Sequence, residues 1–353
     1  MDSMTQIGDN KFWRNKKVLV TGHSGFKGSW LVYWLNMMGA EICGLSLEDK
    51  NLLWDNLEIN LGEFDIRADI RLDNWQSKVR HFNPEIIFHL AAQPLVVTGW
   101  EDPLLTFSTN VYGTAKLLNE IKYLNALKVV LVVTSDKVYK LDGSNTLRNE
   151  NSELGGADPY SASKAAAELL VHSWPKQSEV VPVTARSGNV IGGGDWSKDR
   201  LIPDILSAGK ENRTLLVRNP NSVRPWQHVV EPIAGYLIMA KAIYESKLDI
   251  KTLNFGPSID NQVTVSDVIK YSLPYLPFNR VLKYSTLNEK LYQESELLFL
   301  DSKLAEAKLH WKQVLDWKLA LKMTYKWYEG FENGISPRKL IEHDIDAYLQ
   351  RKN

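Results

Sequence analysis

Cysteine is nearly absent: Cys43 is the one thiol among 353 residues. A single thiol excludes an intramolecular disulfide framework and any metal cluster built on several cysteines, and it suits a reducing compartment. The seven histidines are scattered with no H-x-x-x-H pair, so no metal site is expected. An excess of charge is absent too. Lys plus Arg number 42, Asp plus Glu number 42, and the formal net charge is zero. That removes the electrostatic footprint of a nucleic-acid binder and the basic face of a membrane-surface protein. Any anionic ligand must be held by local basic groups and backbone N–H. No apolar run reaches the roughly 18 residues of a spanning helix. Residues 1–13 lack the apolar stretch of a secretory signal. These absences lead to the expectation of a cytoplasmic globular protein.

What is present is a regular alternation. Residues 17–21 (KVLVT) predict a short buried strand, and Gly22-His23-Ser24-Gly25-Phe26-Lys27-Gly28 follows at once. Trp30, Leu31, Trp34, Leu35 and Met38 then recur at helical spacing, Gly39 sits at a helix stop, and 41–47 predicts a second strand. The pattern continues with strands over 85–90, 128–134 and 180–186 and helices over 110–123 and 159–174. Repeated strand–helix units predict an α/β fold, a Rossmann-type doubly wound parallel sheet covered on both faces. Beyond residue 188 glycines cluster and prolines scatter, which predicts a smaller C-terminal mixed α/β lobe that binds substrate. The expected division is 1–187 for the cofactor domain, with 228–256 packing back on it, and 188–353 for the lobe.

Gly22, Gly25 and Gly28 follow a strand and open a helix. Glycines there let the backbone turn tightly and approach a pyrophosphate, while the helix N-terminus presents free N–H groups. Glu48 and Asp49 lie near the distance at which an acid binds the ribose of NAD. No Arg stands at that strand end to hold a 2′-phosphate, so NAD is favoured over NADP. Asp69 and Ile70 are candidates for an adenine clamp, with a helix-capping aspartate as the alternative.

Tyr160 and Lys164 form Y-x-x-x-K in a predicted helix. Four residues rise about 6 Å and share a face. An ammonium there is expected to lower the phenol's pKa, making Tyr160 a general base. Ser135, at the end of strand 128–134, can orient a substrate hydroxyl against that phenol. On these motifs the chain resembles the extended branch of the short-chain dehydrogenase/reductase superfamily. The resemblance implies that Ser135, Tyr160 and Lys164 serve hydride transfer to NAD.

Ser135-Asp136-Lys137 narrows the resemblance. Sugar-nucleotide 4,6-dehydratases place an acid and then a base after the serine, because elimination of water needs both. A base takes the C5 proton once C4 is a ketone, and an acid protonates the leaving C6 oxygen. Asp136 is then the acid and Lys137 the base, each with a pKa shifted by burial and neighbours. The Asp-Lys pair and the longer strings LVTGHSGFKGSWL (19–31), HLAAQPLV (89–96), GGADPYSASK (155–164), RSGNVIGGGDWSKDRLIPD (186–204), RPWQHVVEP (224–232) and NFGP (254–257) are similar to the branch acting on CDP-glucose. The resemblance implies NAD contacts from Gly22, His23, Gly25, Phe26, Lys27, Gly28, Asp69, Ile70, Leu90, Ala91, Ala92, Gln93, Tyr160 and Lys164. It implies nucleotide-sugar contacts from Asn110, Asn189, Arg200, Arg224, His228 and Glu294. It also implies a homodimer or homotetramer paired through helices 110–123 and 159–174, and a place in deoxysugar synthesis for lipopolysaccharide or other polysaccharide.

The chain departs from that family where Val97-Thr98-Gly99-Trp100 replaces an Arg followed by Ser-Tyr. It departs again at 138–145, which lacks the usual Cys, Trp and Tyr, and at Gln293-Glu294, where the family has His-Glu. These positions surround the expected sugar and base pocket, so another NDP-hexose remains an alternative substrate. An NDP-sugar epimerase is a second alternative, against which Asp136-Lys137 speaks. A silent NAD-sensing protein is a third, against which the intact Ser135, Tyr160 and Lys164 speak.

Overall fold

Eleven strands are present among the described residues of the computed structural model, which are 10–48, 51–141, 146–175, 180–217, 219–258, 263–276, 284–286 and 299–352. They are β1 (Lys17–Thr21), β2 (Glu41–Ser46), β3 (Asp65–Arg67), β4 (Ile86–His89), β5 (Val129–Val133), β6 (Val183–Ser187), β7 (Val190–Ile191), β8 (Leu215–Val217), β9 (Gln227–His228), β10 (Thr252–Phe255) and β11 (Tyr284–Thr286). Seven of them make one parallel sheet in the order β10-β6-β5-β4-β1-β2-β3. The chain winds outward from β1 to β3 and then returns to β4 on the other side of β1. That reversal opens a crevice at the carboxyl ends of β1 and β4, the place where open α/β sheets bind ligands.

Strand side chains alternate between two cores. Val18, Val20, Ile86, Phe88, Val129, Leu131 and Val133 enter one, and Leu19, Ile87, Val130 and Val132 enter the other. The first core is closed by the helices Phe26–Met37, Val230–Tyr244 and Pro337–Lys352, and the second by Gln76–Phe82, Thr114–Glu120 and Pro159–Ser173. Strands buried on both faces read as continuous apolar runs, which is why β4 and β5 stand out in the sequence.

The predicted helix over 110–123 is irregular. Ser108–Gly113 forms a π turn, Thr114–Glu120 an α-helix and Ile121–Tyr123 a single 3₁₀ turn. The wide turn is fixed by Thr114 Oγ1 donating to the Asn110 carbonyl at 2.7 Å, and Gly113 lets it lie against Ile70, whose Cγ2 stands 2.8 Å from where a Cβ would be. The strand predicted over 180–186 is shifted to Val183–Ser187. Beyond β6, two small parallel pairs, β7 with β9 and β8 with β11, carry the second lobe. Helix Val230–Tyr244 and β10 return to the main sheet, and so does helix Pro337–Lys352. The last is tied to the first half by Tyr33 Oη donating to Glu342 at 2.5 Å and by Arg338 donating to the Leu57 and Glu58 carbonyls.

Candidate active site

A cavity of about 810 Å³ runs across the carboxyl ends of the strands, from Asp69 and Ile70 at one end to Arg224 and Leu216 at the other. At the first end the glycine turn forms its floor. Gly22 has φ +70°, and a Cβ on it would lie 2.8 Å from the Ala91 backbone nitrogen. A Cβ on Gly28 would meet the Gly22 carbonyl at 2.0 Å. Gly25 caps helix Phe26–Met37, so the turn presents helix N–H groups to a cavity wall without side chains. Gly22, Gly25, Phe26, Lys27, Gly28, Leu90, Ala91, Ala92, Gln93, Asp69 and Ile70 all line it. This narrow, glycine-floored cradle fits the pyrophosphate of a dinucleotide.

His23 departs from its expectation as a direct contact. Its ring is fully buried against Trp54 and pairs with Asp65 at 2.9 Å, away from the cavity. Burial holds that imidazole below its ordinary pKa, against the pull of Asp65. Gly44 makes room for it, since a Cβ there would fall 2.6 Å from the ring. Glu48 is exposed and does not line the cavity, and Asp49 lies outside the described residues. Asn51 and Arg71 line this end instead, neither singled out from sequence. Arg71 arrives from the loop after β3, and Asp69 already holds it in an ion pair at 2.5 Å. Arg71, then burial in opposition, sets the Asp69 carboxyl, which stays below the usual range.

The middle of the cavity holds the catalytic candidates. Ser135 ends the β5 segment and its Oγ accepts from the Lys137 backbone N–H at 3.2 Å, forming a 3₁₀ turn over Asp136–Val138. Ser135 Oγ also donates to Asp136 Oδ1 at 2.8 Å, and the Ser135 hydroxyl acts on the Tyr160 phenol to favour its ionised form. Ser135, Lys137, Tyr160 and Lys164 line the cavity. Asp136 stands just behind its wall, 3% exposed, with Oδ2 3.1 Å from where a Gly188 Cβ would be. Burial raises the Asp136 pKa, opposed by Lys137, Ser135 and Arg224, which favours a held proton. Tyr160 and Lys164 lie one turn apart on helix Pro159–Ser173, which Asp158 caps by accepting from the Ser161 N–H at 3.0 Å.

The expected depression of the Tyr160 pKa by Lys164 is corrected by the structure. Burial pushes the phenol up to about 12, with Ser135 opposing, and Asp136, Arg200 and Asp158 act after them. Lys164 is itself pushed down to about 8 by burial, against Glu168. Complete desolvation outweighs the one-turn proximity on which the sequence argument rested.

At the far end Asn189, Arg200 and Arg224 line the cavity, as do Ser187 and Trp226, which sequence reasoning did not single out. The Trp226 indole N–H and the Arg200 Nε are buried without a partner among the described residues. Asn110 and His228 do not line it. Asn110 is saturated by structure: it accepts from the Gln93 N–H at 2.8 Å and donates to the Gln93 carbonyl at 3.1 Å and Ser163 Oγ at 2.8 Å. The π turn aims its amide inward. His228 is fully buried beside Trp30, with Asp344 3.5 Å away, facing the C-terminal helix rather than the cavity. Glu294 lies outside the described residues. Of the departures, Val97 and Thr98 line the cavity. Gly99 packs on Tyr160, whose Cβ is 3.1 Å from where a Gly99 Cβ would be.

The parallel sheet, glycine cradle and Ser–Tyr–Lys centre define an NAD-dependent enzyme acting on a hydroxyl. The chain belongs to the NAD dependent epimerase/dehydratase family, which it matches over residues 18–251, and its cofactor is NAD. It is 38% identical to the CDP-glucose 4,6-dehydratase of Salmonella typhimurium, covering 97% of this chain and 98% of that protein. It is 26% identical to the human dTDP-D-glucose 4,6-dehydratase, covering 93% and 94%. Among solved structures it shares the fold of dTDP-glucose 4,6-dehydratase from Bacillus anthracis in complex with NAD. That match has a TM-score of 0.75 and 21% identity, over 92% of this chain and 99% of the other. UDP-glucuronic acid 4-epimerase from Bacillus cereus matches with the same TM-score and identity, over 89% and 99%.

Proposed function

We propose that this protein is a CDP-glucose 4,6-dehydratase, a hydro-lyase that converts CDP-D-glucose to CDP-4-dehydro-6-deoxy-D-glucose and water. The observation that carries the reading is Lys137 beside Ser135 and Tyr160 on one cavity wall, with Asp136 just behind that wall and hydrogen-bonded to Ser135. An epimerase needs only the Ser–Tyr–Lys set. The 38% identity to a CDP-glucose enzyme supports the choice of nucleotide.

Bound NAD supplies positive charge, a hydride acceptor for C4 and, once reduced, the hydride for C6. The protein moves the protons. Ser135 orients the C4 hydroxyl and Tyr160 takes its proton, the added positive charge offsetting the burial that holds the phenol up. Lys137 removes the C5 proton, which the C4 ketone has made acidic. Asp136 donates to the C6 oxygen, so the C6–O bond breaks and water leaves. Lys137 then returns its proton to C5 as C6 is reduced. The balance is loss of one water with NAD restored, and exchange with solvent moves the proton gained by Tyr160 back to replace the one given up by Asp136.

Asn189, Arg200 and Arg224 hold the substrate diphosphate, where Arg binds two oxygens at once. Residues 1–187 with 228–256 hold NAD, and the rest of 188–353 mainly holds the nucleotide sugar. Val97, standing where the resemblance places an Arg, makes its part of the cavity wall less polar. We further infer a homodimer or homotetramer paired through helices 110–123 and 159–174, supported by exposed Tyr112, Tyr123 and Leu169. No helix of the described residues is long and apolar enough to cross a membrane. A cytoplasmic place in deoxysugar precursor synthesis follows from the substrate class.

The test is mass analysis of CDP-, dTDP-, UDP- and GDP-hexoses incubated with the protein and NAD. Loss of one water from CDP-glucose without net NADH supports the reading. Water loss from another nucleotide sugar overturns the nucleotide, and a change of stereochemistry without water loss overturns the dehydratase.

A further inference from the structure

Lys27 leaves the glycine turn and does not follow it. Its side chain reaches the end of β6 and helix Val230–Tyr244, where Nζ donates to Ser187 Oγ at 2.9 Å and to Tyr236 Oη at 3.4 Å. Tyr236 in turn donates to Ser187 at 2.8 Å. Both partners are neutral hydroxyls. Among the described residues no carboxylate stands within ion-pair distance of this amine. The charges that face it are Arg200 from the start of helix Leu201–Glu211, Lys164 from the catalytic helix and, in opposition, Asp136 from the catalytic turn. Part of Lys27's surface opens to the cavity, but the amine itself lies deep within the protein, and that depth governs its solvation. Burial, then Arg200 and Lys164, push it down to about 7. A buried cation crowded by two others and held by hydroxyls is short of negative charge.

We propose that Lys27 couples ligand binding to proton uptake: a nucleoside diphosphate entering the cavity supplies the missing counter-charge, and the amine becomes an ammonium. The inference rests on the reading that the cavity takes such groups, from NAD at the glycine cradle or from the nucleotide sugar at Arg200. It adds a role that backbone binding by the glycine turn does not require. The ammonium, once formed, stays hydrogen-bonded to Ser187 and Tyr236, so the charge is fixed in place. No bond other than N–H forms, and the proton comes from solvent.

Titration calorimetry of NAD alone and of CDP alone, at pH 7.5 in HEPES and in Tris, measures the protons taken up per ligand bound. With wild-type protein an uptake on the order of 0.5 proton is expected in at least one arm, and the arm that shows it identifies the diphosphate. Lys27→Arg, charged throughout, should bind without uptake. Lys27→Met should bind at least tenfold more weakly, also without uptake. Binding of both ligands without uptake in the wild type overturns this inference and leaves the proposed function standing. Uptake that persists in Lys27→Arg assigns the proton to another group and overturns it too. Failure of CDP to bind overturns the proposed nucleotide, and the NAD arm then decides Lys27 alone.

Discussion

Two buried charged clusters flank the sheet, and they are built differently. Under the catalytic helix, Glu168 is fully buried and saturated. It accepts from Arg186 at 2.9 and 3.0 Å, from Thr134 at 2.5 Å and from Thr184 at 2.8 Å. Arg186 goes on to the Tyr139 hydroxyl at 2.6 Å, which donates to Asn254 at 2.7 Å. The network thus ties the residue before Ser135, the helix of Tyr160 and Lys164, β6 and β10 into one block. Burial alone would raise the Glu168 pKa, but Arg186 and the threonines bring it below the usual value.

The second cluster joins β9 and helix Val230–Tyr244 to the C-terminal helix. Asp344, Tyr348 and Lys352 lie four residues apart on one face of that helix, with His228 and Glu231 packed near them. Glu231 Oε1 is satisfied by the Val314 and Leu315 N–H groups at 2.8 and 2.6 Å. Its Oε2, the His228 Nε2, the Asp344 Oδ2, the Tyr348 hydroxyl and the Lys352 amine have no hydrogen-bond partner among the described residues. Burial raises Glu231 to about 7, against Val314, Leu315 and Lys352, and lowers Lys352 to about 8, against Glu231. The difference shows where rigidity is placed. The saturated block holds the catalytic groups, while the C-terminal helix packs on Glu231 and Lys352, whose pKa values burial brings to about 7 and about 8.

The largest effect is expected where neither cluster is touched. Lys137→Ala should lower dehydration by about 10²–10⁴-fold with Tm unchanged, while absorbance at 340 nm still reports partial NAD reduction on adding CDP-glucose. Full dehydration by this variant would remove Lys137 from the chemistry. Arg186→Met strands a buried carboxylate, so chemical denaturation should show a loss of about 3–5 kcal/mol. A loss under 1 kcal/mol would show that the block is not what holds the catalytic helix.

Glu231→Gln should be the mildest and should sharpen the contrast by pH. A folded pKa raised from 4.5 to about 7 means the fold keeps a proton that the unfolded chain releases. That contribution is complete below pH 4.5 and is lost as pH rises to about 7. Lys352 has the opposite sign: lowered from 10.5 to about 8, it weakens the fold below pH 8 and recovers between 8 and 10.5. The wild-type Tm should therefore fall between pH 4.5 and 7 relative to Glu231→Gln. Parallel Tm curves would place the compensation for Glu231 elsewhere.

The sheet was legible because its signals are local: apolar runs at β1, β4 and β5, and three glycines between a strand and a helix. Ser135, Lys137, Tyr160 and Lys164 were legible because motif and strand end coincide. What escaped depends on distant chain. Arg186 and Asn254 lie in strings that carry the family resemblance, yet they brace the sheet, since in β6 and β10 they point toward Glu168 and Tyr139. His228 shares a string with Arg224, but the chain turns between them and only Arg224 reaches the cavity. Asn110 was placed at the sugar by the family resemblance, but its amide is taken up by Gln93 and Ser163. The reach of Lys27 to Ser187 and Tyr236, residues 160 and 209 positions away, has no sequence signal at all.

The most direct test of the account is the fate of the C4 hydrogen. CDP-glucose carrying deuterium at C4, incubated with the protein and NAD in ordinary water, should give a product lighter by one water with the deuterium at C6. That result requires hydride storage on a retained cofactor and elimination between C5 and C6. Water loss with the deuterium released to solvent, or retention of the full mass with inversion at C4, would contradict it.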